Sequence, residues 1–212
     1  MPPPELPIIE MFRSIQGEST YAGRPCAFVR TAGCNLHCRY CDTRYAAESA
    51  GTPTSLAKIA GRLAGYETRL VCITGGEPLL HDETPALAER LRDAGHTVLV
   101  ETNGTRNIRA LPDGVVRVMD VKCPGSGECG KTLPDNLAAL QPSDEVKFVV
   151  GNRDDFDWAA SYVRQHGLTD TCHVLVSPVW RQVAPEAVAE WILGSGLALR
   201  LQIQLHKLLW PD

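Results

Sequence analysis

The chain has no long apolar run: nothing approaches the roughly 20 residues needed to span a bilayer. It also lacks a basic excess, since a net charge of -4 gives no groove for nucleic acid and no patch for an anionic membrane surface. The start, MPPPELPIIEMF, has neither the basic n-region nor the apolar h-region of a secretory leader, so the cytoplasm is the expected location. Internal repeats and low-complexity tracts are absent too, which sets aside solenoids and disordered tails. These absences leave an ordinary globular chain. Its 44% hydrophobic and 22% charged residues agree with that.

At 212 residues the chain is long enough to bury a core without help from metals or disulfides, and residues 1–212 are expected to form one domain. Eight cysteines are therefore too many to be structural staples in a reducing compartment. Cys26, Cys72 and Cys172 sit in or beside apolar runs and read as small buried hydrophobes. Cys123 and Cys129, in KCPGSGEC, read as loop cysteines, with a second metal pair as the alternative. Cys34, Cys38 and Cys41 differ from these, because they fall in one short stretch, GCNLHCRYCDT, at C-x3-C-x2-C.

Short β-branched runs at 25–31, 70–74, 97–101, 116–121, 145–150, 173–177 and 199–204 read as strands. Amphipathic stretches at 54–65, 83–95, 154–167 and 185–194 read as helices, with Pro185 suited to a first turn. Near-continuous apolar strands alternating with helices predict an α/β fold of parallel strands, either doubly wound or part of a barrel. Ligands in such folds bind beyond the carboxyl ends of the strands. The residues found there are GCNLHCRYCDT, TGGEP (74–78), ETNGT (101–105), DVKCPGSG (120–127) and SPV (177–179). The Gly- and Pro-rich stretch 122–136 reads as a long functional loop.

Structural zinc takes four ligands, commonly in two separated pairs, and no second pair of matching spacing is evident. Three neighbouring thiolates suit an iron–sulfur cluster with one iron left open. His37 could be offered as a fourth ligand, but a surface or packing role suits it better.

The cysteine loop after a first strand, followed by TGGEP, resembles the radical S-adenosylmethionine (SAM) superfamily. The resemblance implies a partial, incomplete TIM-like barrel of mainly parallel strands and a [4Fe-4S] cluster on Cys34, Cys38 and Cys41. SAM would be held at the open iron and cleaved to a 5′-deoxyadenosyl radical that removes hydrogen from the substrate. Gly75 and Gly76 would let the backbone meet SAM's amino group. A plain turn is the alternative reading of GGEP.

FRSIQGEST (12–20), the segment 22–43, TGGEP, ETNGT and QLHK (204–207) together resemble the 7-carboxy-7-deazaguanine synthase family. That family consists of carbon–nitrogen lyases of the queuosine and deazapurine pathways, often with a barrel reduced in helices. It turns 6-carboxy-5,6,7,8-tetrahydropterin into 7-carboxy-7-deazaguanine with loss of ammonia, using SAM catalytically together with Mg²⁺. The resemblance implies substrate contacts at Ile15, Gln16, Gly17, Glu18, Arg30, Thr74, Gln204, His206 and Asp212. It implies SAM contacts at Gly75, Gly76, Asn103 with Gly104, Lys122 and Ser177, and a magnesium ligand at Thr43, with Asp42 beside it. A homodimer and a reducing partner such as flavodoxin or ferredoxin follow from the same resemblance; nucleic acid and membrane do not. Two features depart from the family pattern: Asp120-Val121-Lys122 stands where Ser-Pro-Lys is common, and Trp210 lies near the end. The D-x-K form leaves a glycyl-radical activase open as an alternative, and a zinc-binding interaction module is the non-enzyme reading.

Overall fold

A computed structural model describes residues 3–210, and Asp212 lies outside the described residues. In chain order the elements are β1 (Glu5–Ile15), β2 (Pro25–Thr31), α1 (Arg44–Glu48), β3 (Thr52–Ser55), α2 (Leu56–Ala64), β4 (Leu70–Gly75), α3 (Thr84–Asp93), β5 (Thr97–Thr102), β6 (Val116–Asp120), α4 (Pro134–Leu137), β7 (Glu145–Val150), α5 (Arg153–His166), α6 (Leu168–Thr171), β8 (His173–Pro178), α7 (Pro185–Ser195), β9 (Leu199–Leu201) and α8 (Leu205–Leu209). All nine strands join one open sheet in the order β3-β1-β2-β4-β5-β6-β7-β8-β9. From β2 to β9 every pairing is parallel; β1 runs antiparallel to both β2 and β3. The result is an incomplete barrel with β3 and β9 as its edges.

The parallel strands are the ones the apolar runs predict, since strands covered on both faces need hydrophobic residues at nearly every position. On the convex face, Leu56, Ile59 and Leu63 of α2 and Leu87, Ala88 and Leu91 of α3 pack on Val71, Ile73, Val98 and Val100. Farther along, Phe156, Ala159, Ala160 and Val163 of α5 and Val188 of α7 cover Val146, Phe148, Val174 and Val176. Each such fully buried large side chain is worth roughly 1.5–3 kcal/mol relative to exposure. Local chemistry sets the helix ends. Asn152 caps α5 by accepting from Asp155 N at 2.9 Å, and Gly167 ends it in the left-handed conformation. Pro185 opens α7 as the sequence suggests.

Only one-turn helices and the four-residue α4 lie on the connections from β5 through β6 to β7. The barrel is thus reduced in helices on that side. The run 199–204 forms a strand only to Leu201: the bond from Gln202 N to Val176 O is its last rung on β8, and the chain then turns toward α8. β1 and β3 were not among the expected strands. The concave face carries its own apolar cluster of Cys26, Phe28, Leu70, Cys72, Leu99, Val116 and Val118, extended by Phe12. No helix among the described residues is long and apolar enough to cross a membrane.

Candidate active site

A cavity of about 940 Å³ fills the concave face of the sheet. That is near the upper end of ordinary ligand pockets, roughly 300–1,000 Å³, so it has room for more than one small molecule. Cys34, Cys38 and Cys41 all line it. The loop carrying them leaves the end of β2 and is tied down largely through its own backbone N–H groups. Gly33 N donates to Ala46 O at 2.8 Å, Cys41 N to Cys38 O at 3.2 Å, and Leu36 N reaches Cys34 Sγ at 3.4 Å. All three thiols are free. Burial pushes the Cys38 thiol up to about 11 and also raises Cys34, so a metal would displace protons on binding. His37 is exposed and outside the cavity lining, in keeping with a surface role.

Among the described residues, no three His, Cys, Asp or Glu side chains draw close enough to hold a single metal ion. The three thiols nevertheless face one cavity and lie within electrostatic reach of one another. A donor set of thiolates only, spread wider than one ion requires, fits an iron–sulfur cluster.

The TGGEP turn lies directly against this loop. A Cβ on Gly76 would sit 2.0 Å from Gly33 O and 2.9 Å from Cys34 Cβ; one on Gly75, at φ +147°, would sit 2.3 Å from Thr31 O. Both glycines line the cavity, but their small size is already demanded by the chain's own backbone. Gly76 N is also taken, donating to Thr31 O at 3.2 Å, which leaves carbonyl groups for a ligand's amino donor. Glu77 is fully buried and staples the turn to the next strand end. Its carboxylate accepts from Thr102 Oγ1 at 2.8 Å, Leu79 N at 2.9 Å and Asn103 N at 2.6 Å. Asn103 in turn reaches Asn35 Oδ1 at 3.1 Å and Cys34 Sγ at 3.8 Å. Three strand ends are thereby locked around the cysteines.

The cavity is also lined by charged residues. Lys147, in the middle of β7, pairs with Glu18 Oε2 at 2.6 Å and approaches Asp120 Oδ2 at 3.6 Å; Lys122 pairs with the same Asp120 oxygen at 3.0 Å. Burial works to raise the Glu18 carboxyl, but the Lys147 ammonium and hydrogen bonds from Lys147 and Gln204 outweigh it and hold Glu18 below the usual range. Burial likewise opposes the charge on Lys147, and Glu18 with Asp120 overcomes it, so its pKa rises well above normal. Nearby, Glu101 accepts from Thr74 Oγ1 at 2.8 Å and from Cys72 Sγ at 3.4 Å.

Ile15, Gln16, Gly17 and Glu18 enter this cavity from an unexpected side. β1 ends where β2 begins, with Ile15 opposite Pro25, so the segment after it comes in from the amino edge of the parallel strands. The site therefore runs through the concave face and is not confined to strand ends. The C-terminal segment closes over the same residues. Gln204 Nε2 donates to Glu18 Oε1 at 2.7 Å, Leu205 N to Gly17 O at 3.0 Å, and Lys207 pairs with Asp42 at 2.6 Å.

Of the residues expected at the site, Cys34, Cys38, Cys41, Thr43, Gly75, Gly76, Asn103, Lys122, Ile15, Gln16, Gly17, Glu18, Arg30, Thr74, Gln204 and His206 all line the cavity. Gly104 and Ser177 do not: Ser177 is buried in β8 opposite Val149, and the residues after that strand, Val179 and Trp180, face the cavity instead. Arg30 uses its Nε on Glu10 at 2.7 Å, the ordinary surface pairing, while still bordering the cavity. Thr43 sits at the start of α1, its Oγ1 3.8 Å from Cys41 Sγ. Lys147 and Glu101 were missed, although a lysine inside the apolar run EVKFVV was a readable signal.

Known proteins resemble this chain over nearly its whole length. Residues 28–120 match the family model described as the Radical SAM superfamily. A 7-carboxy-7-deazaguanine synthase of Koribacter versatilis is 42% identical, covering 96% of each chain. One from Chlorobaculum tepidum is 43% identical, covering 98% of this chain and 96% of its own. One from Thermoplasma acidophilum is 37% identical over 97% of both. The crystal structure of QueE from Escherichia coli superposes with a TM-score of 0.80 at 25% identity, covering 94% of each chain.

Proposed function

The chain belongs to the 7-carboxy-7-deazaguanine synthase family of radical SAM enzymes, and from that premise we propose how its residues divide the work. The activity is that of a radical SAM lyase of the queuosine pathway, converting 6-carboxy-5,6,7,8-tetrahydropterin to 7-carboxy-7-deazaguanine with loss of ammonia. A [4Fe-4S] cluster and SAM are the family's cofactors; together they supply the hydrogen-abstracting radical.

Cys34, Cys38 and Cys41 hold the cluster in this reading. Gly75 and Gly76 offer backbone carbonyls to SAM, and Asn103 and Lys122 flank it. Glu18 accepts the neighbouring N–H donors of the pterin ring, and Lys147 keeps it ionised for that task. Thr74 and Arg30 reach the same ligand, Arg30 through the terminal guanidinium nitrogens that its Nε pairing leaves over. Gln204 and His206 cover it from the C-terminal side. Thr43 offers an oxygen to Mg²⁺, an ion that keeps several waters and shares substrate oxygens, so one hydroxyl beside a substrate carboxylate suits it. Asp42 stands by, held to Lys207. Positioning of the ligands by these side chains is the protein's share when the cofactor carries the hard step.

The observation that carries the reading is one cavity lined both by three free thiols and by the Glu18–Lys147 pair. We place the chain, as a single domain and a homodimer, in the cytoplasm, with a flavodoxin- or ferredoxin-type reductant; eight free thiols suit that compartment. Anaerobic turnover of the carboxytetrahydropterin by reconstituted protein, with SAM and reductant, tests the set. Deazapurine should form, faster with Mg²⁺ than without it, and Thr43→Ala should abolish the Mg²⁺ effect. Product formation indifferent to Mg²⁺ would remove Thr43 from its role.

A further inference from the structure

The stretch KCPGSGEC carries two cysteines, yet the features nearest the site are the residues between them. The turn Pro124–Ser126 and Glu128 lie against the cysteine loop and take two of its backbone N–H groups. His37 N donates to Glu128 Oε1 at 2.7 Å, and Arg39 N donates to Ser126 O at 3.0 Å. These are the backbone N–H groups of the residues on either side of Cys38.

The acceptors are themselves held. Ser126 Oγ donates to Cys123 O at 2.6 Å and receives Glu128 N at 3.0 Å; Gly125 N donates to Asp155 Oδ1 at 2.7 Å. Asp155 also accepts from Gly151 N at 2.9 Å, so the turn is anchored to the start of α5. Glu128 is buried, and its second oxygen faces the Lys131 ammonium. Both carboxylate oxygens are thus engaged, one by the loop's His37 N–H and one by Lys131, so the side chain is held in place against the cysteine loop.

We propose that Glu128 is a positioning residue for the cluster: it fixes the backbone of His37, the residue ahead of Cys38, and lowers the cluster's reduction potential. This rests on the assignment of Cys34, Cys38 and Cys41 as cluster ligands. Two effects act together. Hydrogen bonds to cluster sulfurs raise a potential, and Glu128 draws the His37 N–H to itself. A nearby negative charge also disfavours adding an electron. Glu128 does not line the cavity, so it acts through the loop and not on the substrate.

The test compares anaerobically reconstituted full-length wild type, Glu128→Gln and Glu128→Ala by iron per chain, iron loss to a chelator and EPR-monitored redox titration. Glu128→Gln keeps an acceptor for His37 N and removes the charge, so it should retain iron as wild type does while its potential rises. Glu128→Ala removes the acceptor as well and should lose iron about 10-fold faster, the lower range for outer partners of metal ligands. Far-UV circular dichroism of the chelated proteins separates loop effects from misfolding; if the alanine variant is misfolded, the glutamine variant's potential decides. Wild-type potential in Glu128→Gln, or wild-type iron retention in a folded Glu128→Ala, overturns the proposal. Wild type without iron and sulfide would instead overturn the ligand assignment, and this inference with it.

Discussion

Lys147 is the residue on which the substrate end of the cavity turns. It balances Glu18 at 2.6 Å and shares Asp120 with Lys122. The Glu18 carboxyl is depressed, so its contribution is present above the ordinary carboxylate range, about pH 4.3, and is lost only as pH falls through its lower folded value. The Lys147 ammonium is raised, so its contribution is full below its ordinary value near ~10.4 and lost only as pH rises through the higher folded one. Between those limits the pair stays charged, and it adds no pH dependence to the wild-type KM from pH 6 to 9. Lys147→Met removes the opposing charge, and burial is then free to push Glu18 upward. Its KM for the pterin should rise by about 10- to 100-fold, the loss of one charge-assisted contact, and should worsen as pH falls toward 6. Lys147→Arg should recover most of the loss. A KM in Lys147→Met that matches wild type across this pH range would remove Glu18 from the binding role. The sequence shows Glu18 through its motif. It shows Lys147 only as a lysine out of place in an apolar strand, and conceals its partner, which is 129 positions away.

At the level of elements, the readable parts were those whose physics is local and periodic. β2 and β4 through β8 are doubly covered and so continuously apolar; α2, α3, α5 and α7 are each long enough to repeat an amphipathic pattern. β1 escaped because only three of its eleven residues are buried, which leaves no continuous apolar run, and it starts among prolines. The one-turn α1, α4, α6 and α8 have too few positions to show any period. Yet α8 matters most of these. It lies across Gly17, where an added Cβ would meet His206 Nδ1 at 2.2 Å and His206 N at 3.1 Å. Gly17→Ala must therefore tilt the His206 ring or lift α8, loosening the Gln204–Glu18 and Lys207–Asp42 ties. The expected result is a KM for the pterin raised about 10-fold, roughly 1.4 kcal/mol, with iron content and SAM cleavage without substrate unchanged. Loss of iron in Gly17→Ala would show that α8 supports the cluster loop instead.

For the whole molecule the question is whether the cluster holds the fold or the fold holds the cluster. The three apolar clusters, two binding helices to the sheet and one on its concave face, contain none of Cys34, Cys38 and Cys41. The loop bearing those cysteines is tied through backbone groups to Ala46, Ser126 and Glu128. Deep in the sheet, Arg117 and Asp144 form a buried pair, and Arg117 also donates to Ile108 O and Leu111 O, fixing a side of the barrel that has no full crossover helix. None of these bonds needs metal. Small zinc domains unfold when chelated because their cores cannot stand alone, but a chain of this size buries roughly 70% of its surface. Chelated, iron-free protein should therefore keep its far-UV circular dichroism and melt cooperatively. Its Tm should fall by only a few degrees, since each kcal/mol of lost ligand linkage shifts a chain of this length by about 2–4 °C. Protection of the Cys38 and Arg39 amides against hydrogen exchange should fall modestly, while that of β4 and β5 should not change. Loss of the cooperative melt on chelation would mean that the cluster, and not the sheet, organises the concave face.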